Sequence, residues 1–376
     1  MNEALKNFRR LLHANPELSG GEKETQRRII EMLKKHGIEK SQKIGQYGII
    51  YPFHFGEGPH LLVRVDIDAL PIQEINAFDY RSKTEGVSHK CGHDGHATIG
   101  VGLAIKLQNE PLNAGKVTVL FQPAEEIGEG AKGMLEDPNF NVSDHDYAVA
   151  LHNIPGKAMN EVLWKKDNFT PAVKSVIIKL HGKTSHAAEP LKGYNPSHAI
   201  SEIIQAALDR EETNEQHENY NLITTVFTEI GSKDYGISAG YGEVHFTIRS
   251  WTQQRMEETT EGFLAKVESI AKQHQLKLEI VFLAEFASNQ NDHFVVDQII
   301  KSGNDLGLKT SAKTEPFPWG EDFGLFTQKI PGAMFGLGSG ESTPALHNPD
   351  YDYPDEITET GINMFYEIAK NICNSV

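Results

Sequence analysis

Apolar positions along this chain alternate between stripes of helical period and short continuous runs. Leu5, Phe8, Leu11 and Leu12 share one helical face, and the pattern ends at Pro16. Ile29, Ile30 and Leu33 form a second stripe, closed by Gly37. An extended stretch, GIIYPFHF, and a strand, LLVRVDID, come next. A turn-rich segment then leads into an apolar helix, ATIGVGLAIKL. The strand KVTVLFQ, the segment PAEEIGEGAKGML and the strand YAVALHN follow. Strands that alternate with helices predict a layered α/β domain.

From about residue 168 the pattern changes. VKSVIIKLHG, LITTVFTEI, GYGEVHFTIRS and LKLEIVFLAEF read as strands. NPSHAISEIIQAALD and MEETTEGFLAKVESIAKQH read as helices, the first with Ile200, Ile203, Ile204 and Leu208 on one face. The order βαββαβ predicts a ferredoxin-like unit. A helix (NDHFVVDQIIKSGNDLG), a short strand (GAMFGLG) and a final helix (ITETGINMFYEIAKNICNS) then resume the first style. FPWGEDFGLF reads as an acidic aromatic turn and ALHNPDYDYP as a loop. The expected organisation is one α/β domain built from 1–167 and 286–376, with a second domain inserted at 168–285. A chain of 376 residues is long enough for two cores.

The net charge of -16 argues against nucleic acid or an anionic membrane as partner. No apolar run reaches the length of a membrane span, and the N-terminus has no signal-like apolar core. Cys91 and Cys373 are the only cysteines, so a reduced, cytoplasmic setting is expected.

Candidate chemistry concentrates in VSHKCGHDGHATI, residues 87–99. His89, Cys91, His93, Asp94 and His96 lie within eight positions of one another. Thiolate and imidazole are strong ligands for borderline metals, and carboxylates add hard oxygen. On extended chain Cys91 and His93 would face one side. The helix that follows would favour a thiolate at its N-terminus. Asp66 and Asp68 end one predicted strand, Glu125 and Glu126 follow another, and His152 ends a third. Carboxyl ends of strands are where open α/β sheets carry their sites. Each residue alone reads as a loop or turn side chain. Together they offer enough thiolate, imidazole and carboxylate for two metal ions sharing a bridging water. From spacing alone, His186 and His347 are loop histidines and Arg249 is a strand-end charge.

The motifs HANPELSGGEKET, VDIDALPIQE, HKCGHDGH, FQPAEE, LHNIP, GKTSHAAEP, GEDF and LHNP occur in this order nearly end to end. The chain thereby resembles the dinuclear metallo-amidohydrolases that include hippurate hydrolases, auxin-conjugate hydrolases and N-acyl-amino-acid deacylases. These belong to the aminoacylase and glutamate-carboxypeptidase superfamily of metallopeptidases. The resemblance implies a zinc-peptidase-like catalytic domain with a central mixed sheet, plus an inserted α+β lid and dimerisation domain. It implies two divalent ions (Mn, Zn, Co or Ni) bridged by Cys91, with His93 and His152 on one ion and Glu126 and His347 on the other. Glu125 matches the general base, Asp68 a carboxylate that steadies a ligand, and His186 a lid histidine that steadies the scissile carbonyl. His186 would reach the site on domain closure, in its own subunit or a partner's. Asn153 and Arg249 are weaker candidates for holding a substrate carboxylate. The implied activity is amide hydrolysis of a small N-acyl amino acid by a homodimer or higher homo-oligomer.

Three departures from the family pattern stand out. Val65 replaces the usual Ala, Ser88 the usual Met, and Pro318, Trp319 and Gly320 the usual Met-Gly-Ser. None removes a proposed ligand or the base, whereas Trp319 bears on specificity. A dipeptidase or carboxypeptidase of the same superfamily is the rival reading. A non-catalytic metal-binding protein ranks below both, because Glu125 is present.

Overall fold

The chain is described from a computed structural model covering residues 3–374. It divides into two compact units. The first holds the residues up to Phe169, Asn289–Thr314 and those from Glu321 onward; the second holds Thr170–Ser288 and Glu315–Gly320.

The first unit is built on an eight-stranded mixed sheet. Across it run Gln42–Ile44, Gly48–His54, Lys116–Gln122, His60–Asp66, Tyr147–Ile154, Gly332–Gly338, Val162–Trp164 and Thr310–Ala312. The four strands at its centre are mutually parallel, and antiparallel neighbours flank them. Buried on both faces, these central strands are near-continuous apolar runs, as parallel sheets require. The helix His93–Asn109 is apolar around most of its circumference, and its first twelve residues and Leu107 are buried. Thr358–Cys373 and Glu3–His13 pack against it. Leu12, Ile29, Val63, Ile99, Val119, Phe335 and Phe365 belong to the common core. Parallel strands that end together bring Asp66, Gln122, Ile154 and Gly338 to one edge of the sheet, and the loops beyond them carry the polar motifs.

In the second unit, four antiparallel strands run in the order Asn221–Ile230, Tyr241–Ser250, Ala172–His181, Lys277–Phe286. This is the ferredoxin-like arrangement anticipated from the βαββαβ pattern. Burial alternates residue by residue along Tyr241–Ser250, the period of a sheet covered on one face. The helices Ser197–Leu208 and Gln253–Gln273 supply the cover, with Ile200, Ile203, Phe263 and Val267 against Ile178, Val244 and Phe246. A short ribbon pairs Ser185–His186 with Ile237–Ser238.

The sequence pattern placed a single insertion at 168–285. The contacts carry it to Ser288 and add Glu315–Gly320, because Gly320 packs closely on Phe286 and Val173 and the Pro318 carbonyl accepts from Arg249 Nε at 3.3 Å. Within PAEEIGEGAKGML only Gly130–Leu135 is helical. The strands Gln42–Ile44, Val162–Trp164 and Thr310–Ala312 were not anticipated; three residues are too few to show a period. Among the described residues, no helix is long and apolar enough to cross a membrane.

Candidate metal centre

The helix His93–Asn109 opens directly after Cys91, so the ligand cluster sits at a turn rather than on extended chain. Gly92 makes that turn at φ 96°. A Cβ there would stand 2.3 Å from Asn153 Oδ1 and 2.9 Å from Tyr351 Oη. Glycine is therefore required on two counts, backbone conformation and space. Cys91 and His93 share one site because of this turn, and not through strand alternation.

Cys91 belongs to two groups of potential ligand atoms. In one it stands with His93 and His152, in the other with Glu126 and His347, and within each group all atoms lie within 4.8 Å of one another. Cys91 Sγ is 3.4 Å from His152 Nε2, and His347 Nε2 is 3.6 Å from Glu126 Oε2. His93 Nε2 lies 3.7 Å from Glu126 Oε1. Both of those last atoms are buried with no hydrogen-bond partner. Such orphaned polar atoms cost free energy unless a ligand meets them.

The ring nitrogens that face away are anchored. His93 Nδ1 donates to Asp68 Oδ1 at 3.0 Å, and His152 Nδ1 donates to the Asn153 carbonyl at 2.9 Å. Each bond fixes its ring with Nε2 directed at the site, the orientation in which histidine binds metals. Asp68 does more: its Oδ2 accepts from Ser19 Oγ at 2.6 Å and from the Glu126 backbone N–H at 3.0 Å. One carboxylate thus steadies arms of both groups. His96, the third cluster histidine, is differently placed. Its Nδ1 donates to Asp66 at 2.6 Å and its Nε2 accepts from the Asn153 N–H at 3.2 Å, so both nitrogens are spent.

Glu125 and Glu126 follow Ala124, a non-glycine residue held at φ 54°. The turn sends Glu126 toward His347 and Glu125 toward Glu321 and Asp322 of the GEDF motif. Beneath them lies Arg64, wholly buried in the sheet. It contacts Asp66 at 2.8 Å, Asp322 at 2.7 Å, Glu321 at 2.9 Å and Gln122 at 2.9 Å. Sequence reasoning passed over Arg64, Glu321 and Asp322. The available signal was a lone arginine inside the apolar strand LLVRVDID.

The electrostatics point the same way. Burial, reinforced by Glu321, Glu126 and Asp322, pushes the Glu125 carboxyl well above its usual range. Burial also carries Glu126 up to about 7, although His93 works against it. For Cys91, burial and then Glu126, Glu125 and Asp66 raise the thiol well above its ordinary value. The helix N-terminus, expected to favour a thiolate, is outweighed by burial and those carboxylates. Burial opposes charge on His93, yet Asp66 and Asp68 hold it up at about 10. The pocket is thus short of positive charge, and divalent cations among these soft and hard donors fit it.

Of the other predicted site residues, Asn153 is fully buried and its amide nitrogen meets Tyr351 Oη at 2.7 Å. It packs against the Gly92 turn, and its Oδ1 is buried with no hydrogen-bond partner. His186 and Arg249 belong to the second unit. His186 is exposed, and its Nδ1 accepts from the Ala188 N–H at 3.1 Å, so the neutral ring carries its proton on Nε2. Arg249 is half-buried and, among the described residues, pairs with no carboxylate.

The sequence also has relatives. The model of the peptidase family M20/M25/M40 matches residues 62–371. An N-acetylcysteine deacetylase of Bacillus subtilis is 30% identical over 98% of this chain and 97% of its own. A thermostable carboxypeptidase of Saccharolobus solfataricus is 31% identical, with 92% of this chain and 88% of the relative covered. The crystal structure of a Bacillus subtilis dinuclear metal-binding peptidase of the M20 family superposes with a TM-score of 0.84 at 28% identity, covering 99% of this chain and 98% of that one. With sequence, fold and a metal-suited cluster in agreement along its whole length, the chain belongs to peptidase family M20/M25/M40, as a hydrolase acting on amide bonds.

Proposed function

We propose that this protein hydrolyses the amide bond of N-acyl amino acids, releasing a carboxylic acid and the free amino acid. The observation that carries the reading is the placing of two adjacent carboxylates: Glu126 joins Cys91 and His347 in one ligand group, whereas Glu125 stands beside Glu126 and 4.0 Å from His93 Nε2 but outside both Cys91-centred groups. On this reading Cys91 would serve both of two divalent ions, Mn, Zn, Co or Ni, with His93 and His152 to hold one and Glu126 and His347 to hold the other. Bound there, the ions would supply Lewis acidity that lowers the pKa of water from ~15.7 toward ~7 and polarises the amide carbonyl.

The protein's own residues do the rest. Glu125 takes a proton from water as the water oxygen bonds to the carbonyl carbon. When the C–N bond breaks, Glu125 returns that proton to the departing nitrogen. The carbonyl oxygen gains charge at the tetrahedral stage. His186, with its proton on Nε2, is suited to donate to it, a contribution of roughly 3 kcal/mol for such a donor. Arg249, free of any carboxylate partner among the described residues, is suited to the substrate's own carboxylate. Similarity to an N-acetylcysteine deacetylase supports an acylated rather than a free amino terminus on the substrate. The carboxypeptidase relative keeps a peptide-cleaving reading in play.

Amino-acid release from acetyl, benzoyl and indole-acetyl series, beside dipeptides and their N-acetyl analogues, separates the two. Turnover of an acylated series, abolished in Glu125→Gln with metal content unchanged, supports the proposal. Dipeptide turnover alone would favour the peptidase, and loss of metal from Glu125→Gln would undo its role as base. We further propose a homo-oligomer formed through the second unit, whose strands leave Val226, Phe227, Phe282 and Leu283 exposed. Light scattering on the purified protein tests it. Two buried, unbridged thiols, Cys91 and Cys373, suit a cytoplasmic setting.

A further inference from the structure

The residues that flank the ligands form a buried lattice of their own. Lys90 precedes Cys91, and Asp94 follows His93; both side chains are wholly buried. Lys90 Nζ donates to Glu74 Oε1 at 2.6 Å and to the Tyr351 carbonyl at 2.7 Å. Glu74 Oε1 is 3.0 Å from His13 Nε2, and His13 Nδ1 is 2.8 Å from Asp94 Oδ2. Arg9 closes on Asp94 at 3.4 Å and on Asp352 at 2.8 Å. The path Lys90, Glu74, His13, Asp94 is therefore a ring, completed by the backbone of residues 90–94. That backbone carries Cys91 and His93.

Lys90 has a second attachment. Its carbonyl accepts the His347 N–H at 2.8 Å, while its ammonium grips Tyr351, whose N–H returns to the Asn348 carbonyl at 3.0 Å. His347 is held at φ 65°, a conformation a non-glycine residue keeps only where its surroundings impose it. Two contacts from one lysine therefore pin the loop that presents His347 to the segment that presents Cys91. Burying a lysine is costly, and the cost is met here by one carboxylate and one carbonyl.

We infer that Lys90 is a positioning residue, which couples the Cys91 segment to the His347 loop and so sets affinity for the second ion of the pair. This rests on the ligand assignment proposed above. Cys91 and His93 keep the His13–Asp94 brace without it, whereas the His347 loop loses the ammonium at the Tyr351 carbonyl and keeps there only the longer Asn76 Nδ2 contact at 3.3 Å, beside the Asn153 contact to Tyr351 Oη. Selective weakening is the consequence.

The test is a Co²⁺ titration of the metal-free protein, followed by d–d absorption, for wild type and Lys90→Met. Circular dichroism verifies the fold. The expected result is two equivalents for wild type. In the variant the first is bound within about threefold of the wild-type affinity, and the second at least about tenfold more weakly, the range in which outer partners of metal ligands act. Equal weakening of both equivalents, or no change in either, overturns the inference. Should Lys90→Met fail to fold, the same two constants in Glu74→Gln decide, with a second-site loss of about threefold or more expected. Wild-type protein that binds fewer than two equivalents overturns the ligand assignment itself, a failure readily told from the others.

Discussion

Asp68→Asn is isosteric, yet the geometry around Asp68 makes it disruptive. All three of the groups it meets act as donors: His93 Nδ1 at 3.0 Å, Ser19 Oγ at 2.6 Å and the Glu126 N–H at 3.0 Å. An asparagine must turn its NH₂ toward one side. Facing Oδ2's partners, it opposes the Glu126 N–H, and although the Ser19 hydroxyl can rotate to accept, the backbone donor cannot. An unsatisfied buried donor costs about 1–3 kcal/mol. Facing His93 instead, the NH₂ requires Nδ1 to accept, which moves the ring proton to Nε2 and takes away the lone pair aimed at the site. Either orientation loosens one arm of the ligand set. The expected loss of metal affinity is about 10–100-fold, or roughly 1.4–2.7 kcal/mol. Titration of metal-free protein with Mn²⁺ or Zn²⁺ against a chromophoric chelator measures it, with circular dichroism to verify the fold. Activity should recover to within about tenfold of wild type at saturating metal, because the base is untouched. A folded variant whose affinities lie within about threefold of wild type would refute the reasoning.

Two further outcomes follow from buried charges in the same unit. Arg64→Met removes the cation that faces Asp66, Asp322 and Glu321, leaving three buried carboxylates without their shared counter-charge. Breaking such a buried pair costs about 3–5 kcal/mol, which in a unit of this size lowers Tm by roughly 6–20 °C; a fall under about 2 °C in scanning calorimetry contradicts this. His13 gives a pH signature: burial opposes its charge, but Asp94 and Glu74 outweigh burial and hold its pKa at about 9 against 6.5 unfolded. The folded state thus binds this proton more tightly. The resulting stabilisation, about 3 kcal/mol, is complete below pH 6.5 and is lost as pH rises through about 9. Denaturant unfolding at pH 6 and pH 9.5 should therefore show a larger alkaline loss in wild type than in His13→Gln, and equal losses would exclude the His13 proton as the cause.

How far the sequence went depends on the range of each interaction. Apolar periodicity is local, so the long helices, the long strands and the βαββαβ order of the second unit were legible without any tertiary contact. Candidate ligand types were legible too, because Cys91, His93, Glu126 and His152 stand in short motifs whose chemistry is intrinsic to the side chains, whereas His347, a loop histidine by spacing, entered only through the family resemblance. Short strands such as Thr310–Ala312 were not, since three residues carry no period and are held by pairing with Val162–Trp164. The charged side chains that serve as internal supports were equally hidden. Arg64, Lys90, His13 and Asp322 look like ordinary polar residues until the fold brings their partners together, over separations as large as that between Arg64 and Asp322.

Three placements were decided by the tertiary structure alone. Cys91 and His93 meet through the Gly92 turn, where strand alternation had been expected. Among the cluster histidines, His93 is left with a free Nε2 while His96 is consumed by Asp66 and Asn153. Asn153 packs against the Gly92 turn and donates its amide to Tyr351 Oη. In each case the sequence determined which atoms were available. Only the packing of distant segments determined which of those atoms already had partners and which remained free to bind, because hydrogen-bond satisfaction in a buried site is a property of the whole neighbourhood.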